Sequence, residues 1–106
     1  MAVIDEEIAR TLLGDVPGDK QFWCSDGKIL KNLPELATAL VQMSPETFKY
    51  HSNSQKKDFS NWVKDVIGDE KLARDLINAT QVRAAKVVND RVVWLKSKLE
   101  ANRRIK

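Results

Sequence analysis

The chain has 106 residues, of which 18 are lysine or arginine and 15 are aspartate or glutamate, and its formal net charge is +3. Its single cysteine, Cys24, excludes an intramolecular disulfide, and no stretch approaches the roughly 18 continuous apolar residues of a membrane-spanning helix. The first residues lack the cationic start and apolar run of a secretory signal peptide. These features predict one cytoplasmic domain, long enough to bury a single hydrophobic core.

The N-terminal part of the chain predicts a short helix followed by a loop. Ile4, Ile8 and Leu12 recur at helical spacing, and Gly14 follows them as a stop signal. The next residues, as far as about residue 20, include the proline and glycine that are typical of a loop.

A β-hairpin is predicted next. Residues 21–25 and 28–30 are short runs that contain apolar and aromatic side chains, and Asp26-Gly27 separates them. An Asp-Gly pair readily adopts the two positive φ angles of a type I′ turn, so we expect that turn here. Two strands alone are marginally stable, and the hairpin therefore needs helices to pack against.

Four further helices are predicted between the hairpin and the last helix. One begins after Asn32, which can cap it with Glu35 as reciprocal partner, and another begins after Ser44. The next has the clearest amphipathic pattern in the chain and ends at Gly68, after which Asp69 caps one more helix. The apolar positions of these helices are Leu33, Leu36, Ala37, Leu40, Met43, Phe48, Phe59, Trp62, Val63, Val66, Ile67, Leu72, Ala73, Leu76 and Ile77.

The last helix is predicted from about residue 80 to about residue 103, and its apolar residues form two stripes. One stripe has the alternating steps of three and four that are typical of a coiled-coil seam, and the other is rotated by about 100° around the helix. One stripe can pack on the domain, whereas the second either lies in a groove of the core or meets a partner. The first comprises Ala85, Val88, Val92, Leu95 and Leu99, and the second comprises Val87, Trp94, Ala101 and Ile105.

Together these elements predict a mainly α-helical fold, a single small domain of five or six helices with one short N-terminal β-hairpin and a long basic C-terminal helix. Within residues 1–106, residues 1–20 form the first helix and loop and residues 21–79 form the hairpin and helical core. Residues 80–106 form the basic helix.

The residue types that most often carry catalysis are sparse. His51 is the single histidine and Cys24 the single cysteine, so neither finds the partners that a zinc site requires. We interpret Cys24 as a small half-buried residue of a strand and His51 as a structural hydrogen-bonding residue at a helix end. The four glycines are scattered singly, which excludes a glycine-rich phosphate loop. We therefore predict a protein that is not an enzyme and that has no metal and no cofactor.

Acidic residues are plentiful, but their positions suggest a surface rather than a catalytic pair. Asp58, Asp65 and Asp69 lie away from the apolar face of the amphipathic helix, with Lys57 and Lys64 as neighbours. We interpret them as a solvated helix face, with Asp69 also serving as the cap of the following helix.

Charge is divided unevenly along the chain. Residues 1–80 carry 10 lysines and arginines against 13 acidic residues, whereas residues 81–106 carry eight against two, a balance of +6. Cations along a helix can follow a phosphate backbone and release counterions, which gives affinity without sequence specificity. The main hypothesis is therefore a module that binds nucleic acid through its C-terminal helix. Its candidate contacts are Arg83, Lys86, Arg91, Lys98, Arg103 and Arg104.

Three other interpretations of the sequence remain open. Basic residues at the end of a helix also complement the helix dipole, without any partner. A protein-interaction or self-association module would use the second apolar stripe to meet a partner helix. A small sensor domain would instead have an internal pocket near Tyr50, His51 and Trp62.

One stretch of the chain carries recognisable motifs. They are Asp26-Gly27, Leu33-Pro34-Glu35-Leu36, Tyr50-His51, Asp58-Phe59 with Trp62-Val63, and Gly68-Asp69 with Leu72-Ala73. Residues 22–73, which contain them, resemble a family of small archaeal domains of unknown function, although Lys57 stands where that family has asparagine. The resemblance implies a helix-rich cytosolic module, free-standing or attached to signalling proteins, and it assigns no catalytic residue.

Overall fold

The computed structural model describes the backbone of residues 6–105 and the side chains of residues 6–100. It confirms the predicted architecture, a mainly helical fold with a two-stranded antiparallel hairpin near the N-terminus and a long C-terminal helix. The elements, in chain order, are α1 (Glu6–Leu13), a 3-10 turn (Gly18–Lys20), β1 (Phe22–Trp23), β2 (Ile29–Leu30), α2 (Leu33–Gln42), α3 (Pro45–His51), α4 (Asp58–Trp62), a π-helical segment (Val63–Ile67), α5 (Glu70–Leu76) and α6 (Gln81–Ile105).

The turn of the hairpin differs from the predicted type I′ turn. The Gly27 N–H donates to the Cys24 carbonyl over 2.9 Å, and the Cys24 N–H donates to the Lys28 carbonyl over 2.8 Å. Within this turn only Gly27 has a positive φ, at +97°. A turn without positive φ angles, followed by one left-handed glycine, is a common three-residue hairpin connection. The prediction of a hairpin is confirmed, and the prediction of its turn type is wrong.

Side-chain caps start three of the helices as predicted, although Glu35, the predicted reciprocal partner of Asn32, accepts the Lys31 N–H instead. Asn32, Ser44 and Asp69 each accept a hydrogen bond from the backbone N–H three residues later, at 2.8, 3.1 and 3.1 Å. Gly68, with φ at +93°, ends the helical run that precedes Asp69. Each cap satisfies an N–H group that the first helical turn leaves without a backbone partner.

The long helix α6 packs chiefly against α1 and α2 and more lightly against α5. Its first predicted stripe faces the core through Val88, Val92 and Leu95. Ala85 and Leu99 are only half-buried, and Ala84, outside the predicted stripe, is buried. At the start of α6, the Gln81 side-chain amide donates to the carbonyls of Leu40 and Met43 at the end of α2. The buried residues on this face of α6 are therefore Ala84, Val88, Val92 and Leu95.

The first helix uses a different apolar face from the predicted one. Ala9 and Leu12 are buried, but Ile8 is 42% exposed, and Ile4 lies outside the described residues. Across residues 6–105, each helix is either too short or too polar to traverse a lipid bilayer.

Candidate functional site

One side of α6 places cations beside an aromatic ring. With about 100° of rotation per residue, four of its residues with described side chains fall within about 60° of one another around the helix axis. Arg83 is exposed, Val87 and Lys98 are half-buried, and Trp94 is 38% exposed. We call these four residues the Trp94 face: Arg83, Val87, Trp94 and Lys98.

Arg91, which borders the Trp94 face, is held by the acidic residue that caps α5. Its Nε donates to Asp69 Oδ2 over 2.7 Å, and its Nη2 donates to Asp69 Oδ1 over 3.0 Å. The two side chains are only 13% and 2% exposed. Because Asp69 Oδ1 also accepts the Leu72 N–H, one carboxylate joins the start of α5 to the middle of α6.

This ion pair corrects two interpretations of the sequence. Arg91 was expected among the nucleic-acid contacts, but its guanidinium is occupied by a carboxylate of its own fold. Asp69 was expected on a solvated face, but it is 3% exposed. Burial of a single charge is costly unless a partner compensates it, so the two residues depend on each other.

The other predicted cations are engaged less strongly. Lys86 lies outside the Trp94 face and forms an exposed ion pair with Asp90 at 2.7 Å. Within residues 6–100, neither Arg83 nor Lys98 pairs with a carboxylate. The Trp94 face therefore carries two cations that are accessible to a partner.

The remaining predicted residues belong to the end of α6. Arg103 and Arg104, together with the predicted interface residues Ala101 and Ile105, lie within the helix. Their side chains lie outside the described residues, so their roles stay predictions.

The indole of Trp94 is bordered by two cations. Arg91 Cζ lies 4.7 Å and Lys98 Nζ lies 4.8 Å from the centroid of the ring. A cation over an aromatic ring contributes about 0.5–1 kcal/mol at an exposed site. Asp69 fixes the position of Arg91, so the ring has one anchored contact and one contact with an accessible lysine.

A groove of about 430 Å³ runs beside Trp94, between α5 and α6. One wall includes an exposed ion pair on α5, in which Lys71 Nζ lies 2.9 Å from Asp75 Oδ2. Sequence reasoning missed these two residues, because their spacing of four indicates an ion pair within one helix and not a neighbour on another. The groove is lined by Lys71, Asp75, Val87, Asp90, Arg91 and Trp94.

His51, the last residue of α3, is buried with both ring nitrogens engaged. Its Nε2 accepts the Ser25 N–H over 2.9 Å, so Nδ1 carries the ring proton and donates to Asp58 Oδ2 over 3.0 Å. Serine, histidine and aspartate can form a nucleophilic triad, but here the ring receives the backbone amide of Ser25 and not its hydroxyl. That geometry gives His51 the structural role expected from the sequence, and it does not activate a nucleophile.

Cys24, the residue before Ser25, is 6% exposed. Burial raises the pKa of its thiol above the ordinary value, and the negative charge of Asp26 raises it further. The thiolate is the reactive form of cysteine, so a raised pKa keeps this thiol unreactive near neutral pH.

The interior near Tyr50, His51 and Trp62, where a sensor domain would need its pocket, is packed with aromatic rings. The Phe22 ring centroid lies 5.1 Å from that of His51 and 5.7 Å from that of Trp62. Phe59 adds a ring 5.5 Å from His51. Rings at these separations are in direct contact, and they fill the space of the expected pocket.

Comparisons with known proteins provide no relative from which a role can be carried over. No family model matches the chain, and no match is found among curated proteins or among solved structures. The resemblance to small archaeal domains stays a prediction, and the function is argued from the geometry of α6.

Proposed function

We propose that this protein is a non-enzymatic binding module that holds nucleic acid, without strong sequence preference, against the Trp94 face. The observation that supports the proposal is the position of Arg83 and Lys98 on either side of Trp94, with neither cation paired to a carboxylate within residues 6–100. Their backbone positions are 15 residues apart, or about 22 Å along the helix axis. That length spans several phosphates of a nucleic-acid strand.

The charge balance of α6 favours a polyanion. With Arg91 assigned to Asp69, residues 81–100 keep four solvent-accessible cations against Asp90 and Glu100. The exposed Lys86–Asp90 pair is worth about 0–1 kcal/mol, so a phosphate can replace the aspartate at little cost. Arg103 and Arg104 add positive charge further along the same helix.

Trp94 gives the face a second kind of contact. A base that stacks on an aromatic side chain contributes about 1–3 kcal/mol, largely independent of its identity. Lys98 now covers part of the ring, and its contact of about 0.5–1 kcal/mol is smaller than the stacking energy. A base can therefore take its place while the ammonium moves to a phosphate.

The test is fluorescence anisotropy with a labelled single strand and a labelled duplex, at salt concentrations from about 25 mM to about 200 mM. We expect the logarithm of the binding constant to fall linearly with the logarithm of the salt concentration. The double variant Arg83→Ala/Lys98→Ala removes two phosphate contacts, so its slope on duplex DNA should be smaller by about 1.8.

The matched control is Lys20→Ala/Lys49→Ala, which removes the same charge from two exposed lysines on other elements. Its salt slope should equal that of the wild type. Absence of binding at the lowest salt concentration, or equal losses in both double variants, would contradict the proposal.

Self-association through the Trp94 face is the second candidate, and the charges around the indole favour it. Asp90 and Lys98 lie four residues before and four residues after Trp94. In an antiparallel pair of α6 helices centred on Trp94, Asp90 of each copy therefore lies beside Lys98 of the other, and Val87 lies opposite position 101. Opposite charges in such a register stabilise a specific pairing.

Native mass spectrometry of protein purified without nuclease separates the two candidates, because it reports copy number and bound nucleic acid together. A dimer that Trp94→Ala converts to a monomer supports self-association. A monomer carrying oligonucleotide supports nucleic-acid binding.

The proposal includes a cytoplasmic setting. Cys24 is a buried, unpaired thiol, which is common in reducing compartments. The resemblance to archaeal domains agrees with this setting and with a helical interaction module.

A further inference from the structure

The proposed function does not use His51, the single histidine of the chain. Its ring reaches the hairpin turn, where the Ser25 N–H donates to Nε2 over 2.9 Å. The two other backbone bonds of this turn, Gly27 to Cys24 and Cys24 to Lys28, are internal to the hairpin. The Ser25 bond therefore ties the tip of the hairpin to the helical part of the fold.

This tie requires an unprotonated ring nitrogen. Nε2 accepts a hydrogen bond only in the neutral imidazole, whereas both nitrogens are donors once the ring is protonated. A proton on Nε2 would face the Ser25 N–H directly. The Nδ1–H to Asp58 hydrogen bond is kept when the ring is protonated and becomes an ion pair, so protonation removes only the contact with the hairpin.

We propose that His51 is a proton-operated latch: the neutral ring holds the hairpin turn against α3, and protonation releases the turn while the helical core stays folded. The hairpin carries Trp23 and Ile29 as cross-strand neighbours, 72% and 46% exposed. The proposal is independent of nucleic-acid binding.

The titratable and charged groups around His51 come from each neighbouring element. Lys56 Nζ, just before α4, lies 3.4 Å from Asp58 Oδ2, so this carboxylate contacts both Lys56 and the ring. The Tyr50 ring on α3 lies 4.9 Å from the imidazole, between centroids. On the other side of the ring, Cys24 and Asp26 are the titratable residues that flank Ser25 in the turn.

The test is a nuclear magnetic resonance titration of isotope-labelled protein from about pH 8 to about pH 5, following the His51 ring nitrogens and amide exchange. We expect the protection factor of the Ser25 amide to fall by about tenfold as pH falls. The midpoint of this fall should coincide with the midpoint of the His51 titration. Amides of Leu40 in α2 and Val88 in α6 should keep their protection. Unchanged Ser25 protection across the His51 titration overturns the proposal, as does joint loss of protection at all three amides.

Two variants test the link between the ring and the turn. His51→Gln retains an acceptor but cannot titrate, so Ser25 protection should become independent of pH over this range. Asp58→Asn removes the negative charge beside Nδ1, so the His51 midpoint should move to lower pH and the Ser25 midpoint should move with it. A Ser25 midpoint that stays in place while that of His51 moves contradicts the latch, even if His51→Gln fails to fold.

Discussion

The His51 site and the Trp94 face both combine an aromatic ring with charged neighbours, but they differ in what is left for a partner. At His51, both ring nitrogens are bonded and the residue is 5% exposed. At Trp94, the ring is 38% exposed and one of its two cations is an accessible lysine. Residue types alone therefore do not mark a binding site. What distinguishes the two regions is whether their polar groups are already satisfied inside the fold.

The largest effect is expected at the buried pair that positions the Trp94 face. Asp69→Ala leaves Arg91 buried without a partner and removes the cap of α5, so the free energy of unfolding should fall by about 3–5 kcal/mol. Urea unfolding followed by circular dichroism measures it. Asp75→Ala, which breaks an exposed pair on the same helix, should cost no more than about 1 kcal/mol. Equal losses would mean that burial does not separate the two pairs.

The next prediction compares the two aromatic sites directly. His51→Ala leaves the Ser25 N–H without its acceptor, and this should cost about 1–3 kcal/mol of unfolding free energy. Trp94→Ala removes a larger side chain, but its two exposed cation contacts account for only about 1–2 kcal/mol. Urea midpoints of the two variants should therefore rank Trp94→Ala as the more stable. The reverse ranking would show that Trp94 is a core residue.

A smaller effect is expected from Lys86→Ala. The Lys86–Asp90 pair is exposed, so its loss should change the free energy of unfolding by less than about 1 kcal/mol. That small change should shrink further when salt screens the pair. Thermal unfolding at low and high salt is the measurement, and a loss as large as that of Asp69→Ala would refute the assignment of this pair to the surface.

The smallest expected effect near neutral pH is the contribution of the Cys24 thiol to the pH dependence of stability. The folded protein holds the thiol proton more tightly than the unfolded chain, because burial raises the pKa. Its contribution to stability is therefore complete below about pH 8.5, the ordinary thiol value, and is lost as pH rises through the folded value. Cys24→Ala should lose less stability than the wild type between neutral and alkaline pH, as measured by urea unfolding.

The features that depend on a few consecutive residues could be predicted from the sequence. The caps at Asn32, Ser44 and Asp69 are visible from sequence because each acts on a backbone N–H only three residues away. The buried stripe of α6 follows from helical periodicity, with a shift of one residue at Ala84. The hairpin was also visible, but its turn type depended on the φ angle of Asp26, which an Asp-Gly pair leaves open.

The site contained contacts that no local pattern specifies. Asp69 and Arg91 are 22 residues apart, and Ser25 and His51 are 26 residues apart. Each partner also had a local explanation, since an aspartate at a helix start is a cap and an arginine in a basic helix is a surface cation. Charge counting therefore overestimated the free cations of α6, because only the tertiary packing assigns Arg91 to Asp69.

The double use of Asp69 has a consequence for the rotation of α6 about its own axis. A shift of one residue in the docking of this helix would turn it by about 100° and carry the guanidinium away from the fixed carboxylate. Such a turn would also replace the buried face, Ala84, Val88, Val92 and Leu95, with exposed residues that include Asn89 and Lys96. The ion pair and the apolar face therefore fix the same rotation of α6, which keeps the indole of Trp94 partly exposed and Val88 and Val92 buried.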